Sequence, residues 1–187
     1  NSEDDVQSAN AFHSSNQTAG KVDADIRYRR SDGYQANVAA NNLGMDNGRM
    51  EIDVGKLGLY RINLGYRSIA TYQSNNALSP YQNIGSDNLT IASNWITAGA
   101  SSDMPMLYSS LNPFELSLKR ERAGLGFEYQ TESMFTTYVN VQREEKTGTK
   151  ITSGSFFTQS MMLPEPVDYT TDILNAGIKL RGDNWFT

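Results

Sequence analysis

Seven stretches of this chain alternate apolar and polar residues with a period of two. Val22, Ala24, Ile26 and Tyr28 interleave with Asp23, Asp25, Arg27 and Arg29; Tyr34, Ala36, Val38 and Ala40 with Gln35, Asn37 and Asn41; Met50, Ile52 and Val54 with Glu51 and Asp53. Tyr60, Ile62, Leu64 and Tyr66 alternate with Arg61, Asn63, Gly65 and Arg67. A fifth stretch within 114–129 sets Ala123, Leu125, Phe127 and Tyr129 against Gly124 and Gly126. A sixth sets Phe135, Thr137, Val139 and Val141 against Thr136, Asn140 and Gln142, and a seventh sets Leu174, Ala176, Ile178 and Leu180 against Asn175, Gly177, Lys179 and Arg181. Successive side chains of a strand point to opposite faces, so each stretch predicts a strand with one oily and one wet face. The wet faces carry charges and amides that a packed soluble core would not take. A membrane barrel with a watery lumen requires that pattern.

The punctuation between the stretches predicts their order in space. Asp32-Gly33 supplies the positive φ of a tight hairpin, Gly44 to Gly48 a second turn, and Gly55 to Gly58 a third. Further tight turns are expected at 130–133 and 182–184. Between about 69 and 113, and between about 144 and 170, Gly, Pro, Ser and Asn break every candidate strand, which predicts two long loops. Counting strands puts the turns at 32–33, 55–58, 130–133 and 182–184 on one side of a membrane and both long loops on the other. That asymmetry is the usual one for outer-membrane barrels, the short turns being periplasmic. Residues 1–19 read as a polar leader or loop, and 20–187 as part of one β-barrel domain. Seven strands are odd in number and leave two open edges, which lipid does not tolerate. The expected fold is therefore all-β: about seven strands of a larger transmembrane antiparallel up-and-down β-barrel, of which this chain is a fragment.

Composition narrows the function classes. The chain has 187 residues, 38% of them hydrophobic, and its mean hydropathy is -0.54. No apolar run approaches the roughly 20 residues of a spanning helix, whereas a barrel strand needs only about 9 to 11 and gives half of them to the lumen. Without cysteine there is no disulfide, thiolate metal site or covalently attached c-type haem in this chain. A net charge of -5, with Lys and Arg scattered along strands, gives no support to nucleic-acid binding. The single histidine, His13, lies in the polar leader, so neither a Ser-His-Asp relay nor a His-based metal site is expected, and the chain reads as no enzyme.

Several local runs resemble a known family. Leu64-Gly65-Tyr66-Arg67-Ser68-Ile69-Ala70, Asn94-Trp95 with Met104-Pro105, Gly154-Ser155-Phe156-Phe157 and, most specifically, the run from Leu163-Pro164-Glu165-Pro166-Val167 through Asp172 are similar to the MtrB/PioB outer-membrane porins associated with decahaem cytochromes. The resemblance covers about residues 20–187. It implies a large porin that sheathes a periplasmic decahaem or other multihaem c-type cytochrome, forming a transmembrane conduit for extracellular electron transfer. It also implies a surface cytochrome as a partner at the long loops. The haem would belong to the cytochrome, with no cofactor in this chain. The Cys-x-x-Cys motif of some family members has no counterpart here, and its role is not carried over.

The partner-facing candidates are the lumen residues Asp23, Asp25, Arg27, Arg29, Glu51, Asp53, Arg61, Asn63, Arg67, Asn140, Lys179 and Arg181. They read either as contacts to the enclosed cytochrome or as a solvated lining held by ion pairs of about 0 to 1 kcal/mol each. Gly65, Gly124, Gly126 and Gly177 share that face, where they admit a close approach or allow strand curvature. Tyr28, Tyr34, Tyr60, Tyr66, Tyr129 and Phe135 fit an outward aromatic girdle against outer-membrane lipid. Trp95, Met104, Met106, Tyr108, Phe156, Phe157, Met161 and Met162 are candidate apolar anchors of the loops. A generic diffusive porin or transporter is the alternative with an unfilled lumen. A soluble carbohydrate-binding β-sandwich would instead bury the oily faces against each other.

Overall fold

The computed structural model describes residues 20–130, 135–156 and 159–180. Among these, seven strands form one sheet in the order β1-β2-β3-β4-β7-β8-β9, with a separate two-stranded pair β5-β6. The strands are β1 Val22–Arg29, β2 Tyr34–Leu43, β3 Arg49–Lys56, β4 Tyr60–Ser79, β5 Tyr81–Gln82, β6 Thr90–Ile91, β7 Asn112–Gln130, β8 Phe135–Phe156 and β9 Gln159–Leu180. Ser101–Asp103 and Tyr108–Ser110 are single 3-10 turns, and no helix of the described residues is long and apolar enough to cross a membrane.

The described residues fall into two compact units: 20–69, 120–130, 135–145 and 169–180 in one, and 70–119, 146–156 and 159–168 in the other. In the first, antiparallel register puts the sequence alternation on two faces. Ile26, Val38, Ile52 and Leu64 form one cross-strand row, and Tyr28, Ala36, Val54 and Ile62 the next. Between these rows, on the opposite face, run Arg27, Asn37, Asp53 and Asn63. The tight turns sit side by side, because Leu57 N–H donates to the Gly33 carbonyl and Gln130 N–H to that of Leu59. Gly33 and Gly58 take φ of 90° and 74°, which any other residue but Asn or Asp would adopt only under strain. Of the turn expected at 130–133, Gln130 is the last residue of β7, and 131–133 lie outside the described residues, as does the turn expected at 182–184.

Among the described residues, nothing covers the apolar face of this unit. Ile62 is 38% exposed, Leu64 39%, Phe127 44% and Ile178 64%, so the oily positions meet no second sheet and no helix. Among the described residues the buried hydrophobic side chains are Ala40, Ala70 and Val167. A sandwich would bury the apolar rows, so the sandwich alternative fails here.

In the other unit, the loops expected at about 69–113 and 144–170 are corrected. β4 runs on to Ser79, β8 to Phe156, and β9 begins at Gln159, leaving the irregular chain mainly between β4 and β7. These strands of 19 to 22 residues are about twice the 9 to 11 that a bilayer needs. The run from Leu163 is a packing motif on β9. Pro164 and Val167 are buried, while Glu165 pairs with Lys150 at 3.2 Å. Asn112 holds the Tyr81 carbonyl, and the Tyr81 hydroxyl reaches the Met161 sulfur. Met162 and Tyr108 stay exposed, and Phe157 lies outside the described residues.

Candidate functional site

The polar face of the first unit is the candidate site, and its pattern of charges follows from register. Asp53 and Arg61, on β3 and β4, meet at 2.6 Å. Lys179 on β9 pairs with Glu128 on β7 at 3.2 Å and stands 5.0 Å over the Tyr138 ring of β8. Arg120 and Arg122 of β7 both reach Glu144 of β8. These pairs are largely exposed and hold side-chain orientation more than stability, at about 0 to 1 kcal/mol each.

Between the charged pairs the sheet has a low floor. Gly65 has open space above it, and the carboxamide oxygens of Asn63 and Asn140 lean over Gly126 from the two flanking strands. A side chain at Gly177 would collide with the Tyr138 ring. Two open hollows result. One, of about 450 Å³, takes in Glu51, Asn63, Arg67 and Asn140; the other, of about 500 Å³, takes in Asp53, Arg61, Asn63, Asn140 and Lys179.

The four candidates on β1 are not brought to either hollow. Asp25 and Arg27 pair with each other along the strand at 3.1 Å. Asp23 sits where the β1–β2 register slips, and its carboxylate accepts the Asn42 N–H at 2.8 Å beside Lys21. Its position is spent on holding an irregular backbone. Arg29 lies in register with Gln35, and Arg181 is outside the described residues. Sequence reasoning passed over Arg49, Arg122, Glu128 and Tyr138, all on the polar face. Strand parity could have found them.

The opposite face ends in polar groups that satisfy one another. On β4, the Tyr66 hydroxyl donates to Glu121 at 2.6 Å, and Arg143 forms a forked pair with Asp172 at 2.7 and 2.9 Å. Glu121, Arg143 and Asp172 have the parity of Leu125, Val141 and Leu174, so the apolar alternation stops at them. At the turn end, Lys56 and Arg30 stand 5.0 and 5.8 Å over the Tyr34 ring, an amphipathic grouping suited to a lipid–water boundary.

A sheet that is oily and uncovered on one face, and charged, amide-rich and hollowed on the other, defines a wall between lipid and water. The family described as "Putative outer membrane beta-barrel porin, MtrB/PioB" matches residues 1–187, and the chain belongs to it. It is part of an outer-membrane β-barrel porin, located in the outer membrane, with seven strands in one sheet among the described residues. The outer membrane protein MtrB of Shewanella baltica (strain OS185) is 64% identical over 187 residues, all of this chain and 27% of that protein. The chain thus spans about a quarter of that relative's length.

Proposed function

We propose that this chain forms part of the wall of a porin that encloses a multihaem c-type cytochrome, so that the partner's haems carry electrons across the outer membrane. The wall excludes lipid and fixes the partner's depth, and no residue of this chain changes redox state. The observation that carries the reading is the polar face. Gly65, with open space above it, leaves a low place where another protein surface can approach the backbone, and the amides over Gly126 and the exposed ion pairs present donors and fixed charges to that surface. An interface of this kind is wet and polar, and it uses bridging water as well as direct hydrogen bonds. A surface cytochrome docked at the β4–β7 segment belongs to the same proposal.

The test is purification of the full-length protein from outer membranes in mild detergent. The reading expects a haem protein to co-purify in a fixed ratio. Recovery of the barrel free of haem under those conditions would replace it with a diffusive porin.

A further inference from the structure

Several charges of the polar face are matched to a neighbour; among the described residues, two guanidiniums that face each other are not. Arg49 of β3 and Arg67 of β4 stand directly opposite each other in the antiparallel register. Both are exposed, and neither guanidinium is seen in an ion pair among the described residues. Like charges placed opposite each other across a strand pair destabilise the sheet. The same hollow is lined by a third guanidinium, Arg122, and by the amides of Asn63, Asn140, Gln142 and Asn175. Of the carboxylates around them, Glu51 lines the same hollow, Glu144 is paired with Arg122, and Asp46 lies in the adjoining turn, where Ser68 donates to its carbonyl. Glu144 is already engaged by Arg120 and Arg122, and Glu51 lies across from Gly65, one polar-face row along from the pair.

We propose that Arg49 and Arg67 clamp a carboxylate carried by the protein seated in the lumen. This rests on the proposed function and adds to it the chemistry of one contact and its place. Guanidinium forks match carboxylates bidentately, and two of them converging from adjacent strands would grip both oxygens of one acidic group. The Gly65 and Gly124 floor beside them leaves room for the partner's backbone to come close. The repulsion that the empty pair stores is relieved when the anion arrives. Complementarity of this kind fixes register, so the clamp sets where along the β3–β4 hairpin an acidic surface of the partner stops.

The experiment uses the full-length porin with its partner, purified in mild detergent and washed with increasing NaCl, with absorbance of retained haem as the readout. The variants are R49E/R67E and R49K/R67K, each checked for barrel folding by heat-modifiable gel mobility. The proposal expects R49E/R67E to lose the partner at a salt concentration at which the wild type keeps it, with retention about tenfold weaker or more. It expects R49K/R67K to fall between them, because lysine keeps charge and loses the fork. Equal retention by wild type and a folded R49E/R67E overturns the clamp and leaves the proposed function standing. A wild type that carries no haem protein overturns the proposed function, and the clamp with it. Saturable inorganic phosphate binding that depends on both arginines, with unchanged partner retention, replaces the clamp with a small-anion site.

Discussion

Arginine placed at Leu125 should be far more costly than its surroundings in water would suggest. Leu125 lies on β7 and is 52% exposed. An exposed site away from any packed feature ordinarily tolerates substitution within about 0.5 kcal/mol. The outward face of β7 runs from Glu121, where Tyr66 satisfies the carboxylate, to Tyr129 in the aromatic set. Leu125 is midway, about 13 Å along the strand from either limit at about 3.3 Å per residue. With strands tilted by about 40°, that is roughly 10 Å of depth, beyond what a guanidinium comfortably spans toward water. Leu125→Arg should therefore cost the mid-belt penalty of about 2 to 4 kcal/mol. Asn37→Arg, on the polar face in register with Asp53, should stay within about 1 kcal/mol. Urea titration of the full-length protein folding into lipid vesicles measures both. If Leu125→Arg costs less than about 0.5 kcal/mol, the outward face does not meet hydrocarbon.

Three further outcomes follow from named contacts. Gly33→Val should cost about 1 to 2 kcal/mol, because valine would have to adopt a φ of 90°, whereas Gly65→Ala, with open space around it, should fall within experimental error in the same titration. Breaking the exposed pair with Asp53→Asn should change stability by less than about 1 kcal/mol and make the variant less sensitive to salt than the wild type. Gly126→Leu should push the Asn63 and Asn140 amides aside, leaving the barrel folded by heat-modifiable mobility but reducing the haem protein that co-purifies.

Much of this architecture is legible from alternation alone, since lipid on one side and water on the other force period-two patterning onto every spanning strand. The rows through Ile26, Val38, Ile52 and Leu64 needed no other signal. The pattern fails where it has no cause. At Ser74-Asn75-Asn76 on β4 and Thr147-Gly148-Thr149 on β8, no lipid-facing alternation is imposed, and backbone pairing sustains a strand of polar and small residues that reads as loop. Pro164 and Pro166 on β9 misled in the same way, because a proline that forfeits its donor reads as a break. Within the candidate site, parity placed Asn63, Asn140 and Lys179 on one face. Their partners depended on register across long separations in sequence, as in Lys179 with Glu128 and, on the opposite face, Arg143 with Asp172. Local spacing carries no trace of such pairings.

The central claim is that the two faces of one ribbon meet different solvents. Spin labels at single cysteines from residue 60 to 66, in the full-length protein in outer-membrane lipid on a background without other thiols, test it residue by residue. Collision with oxygen should peak at 62 and 64, and collision with a water-soluble nickel chelate at 61, 63 and 65. Equal access of the nickel chelate to all these positions, or the opposite phase, would contradict the account.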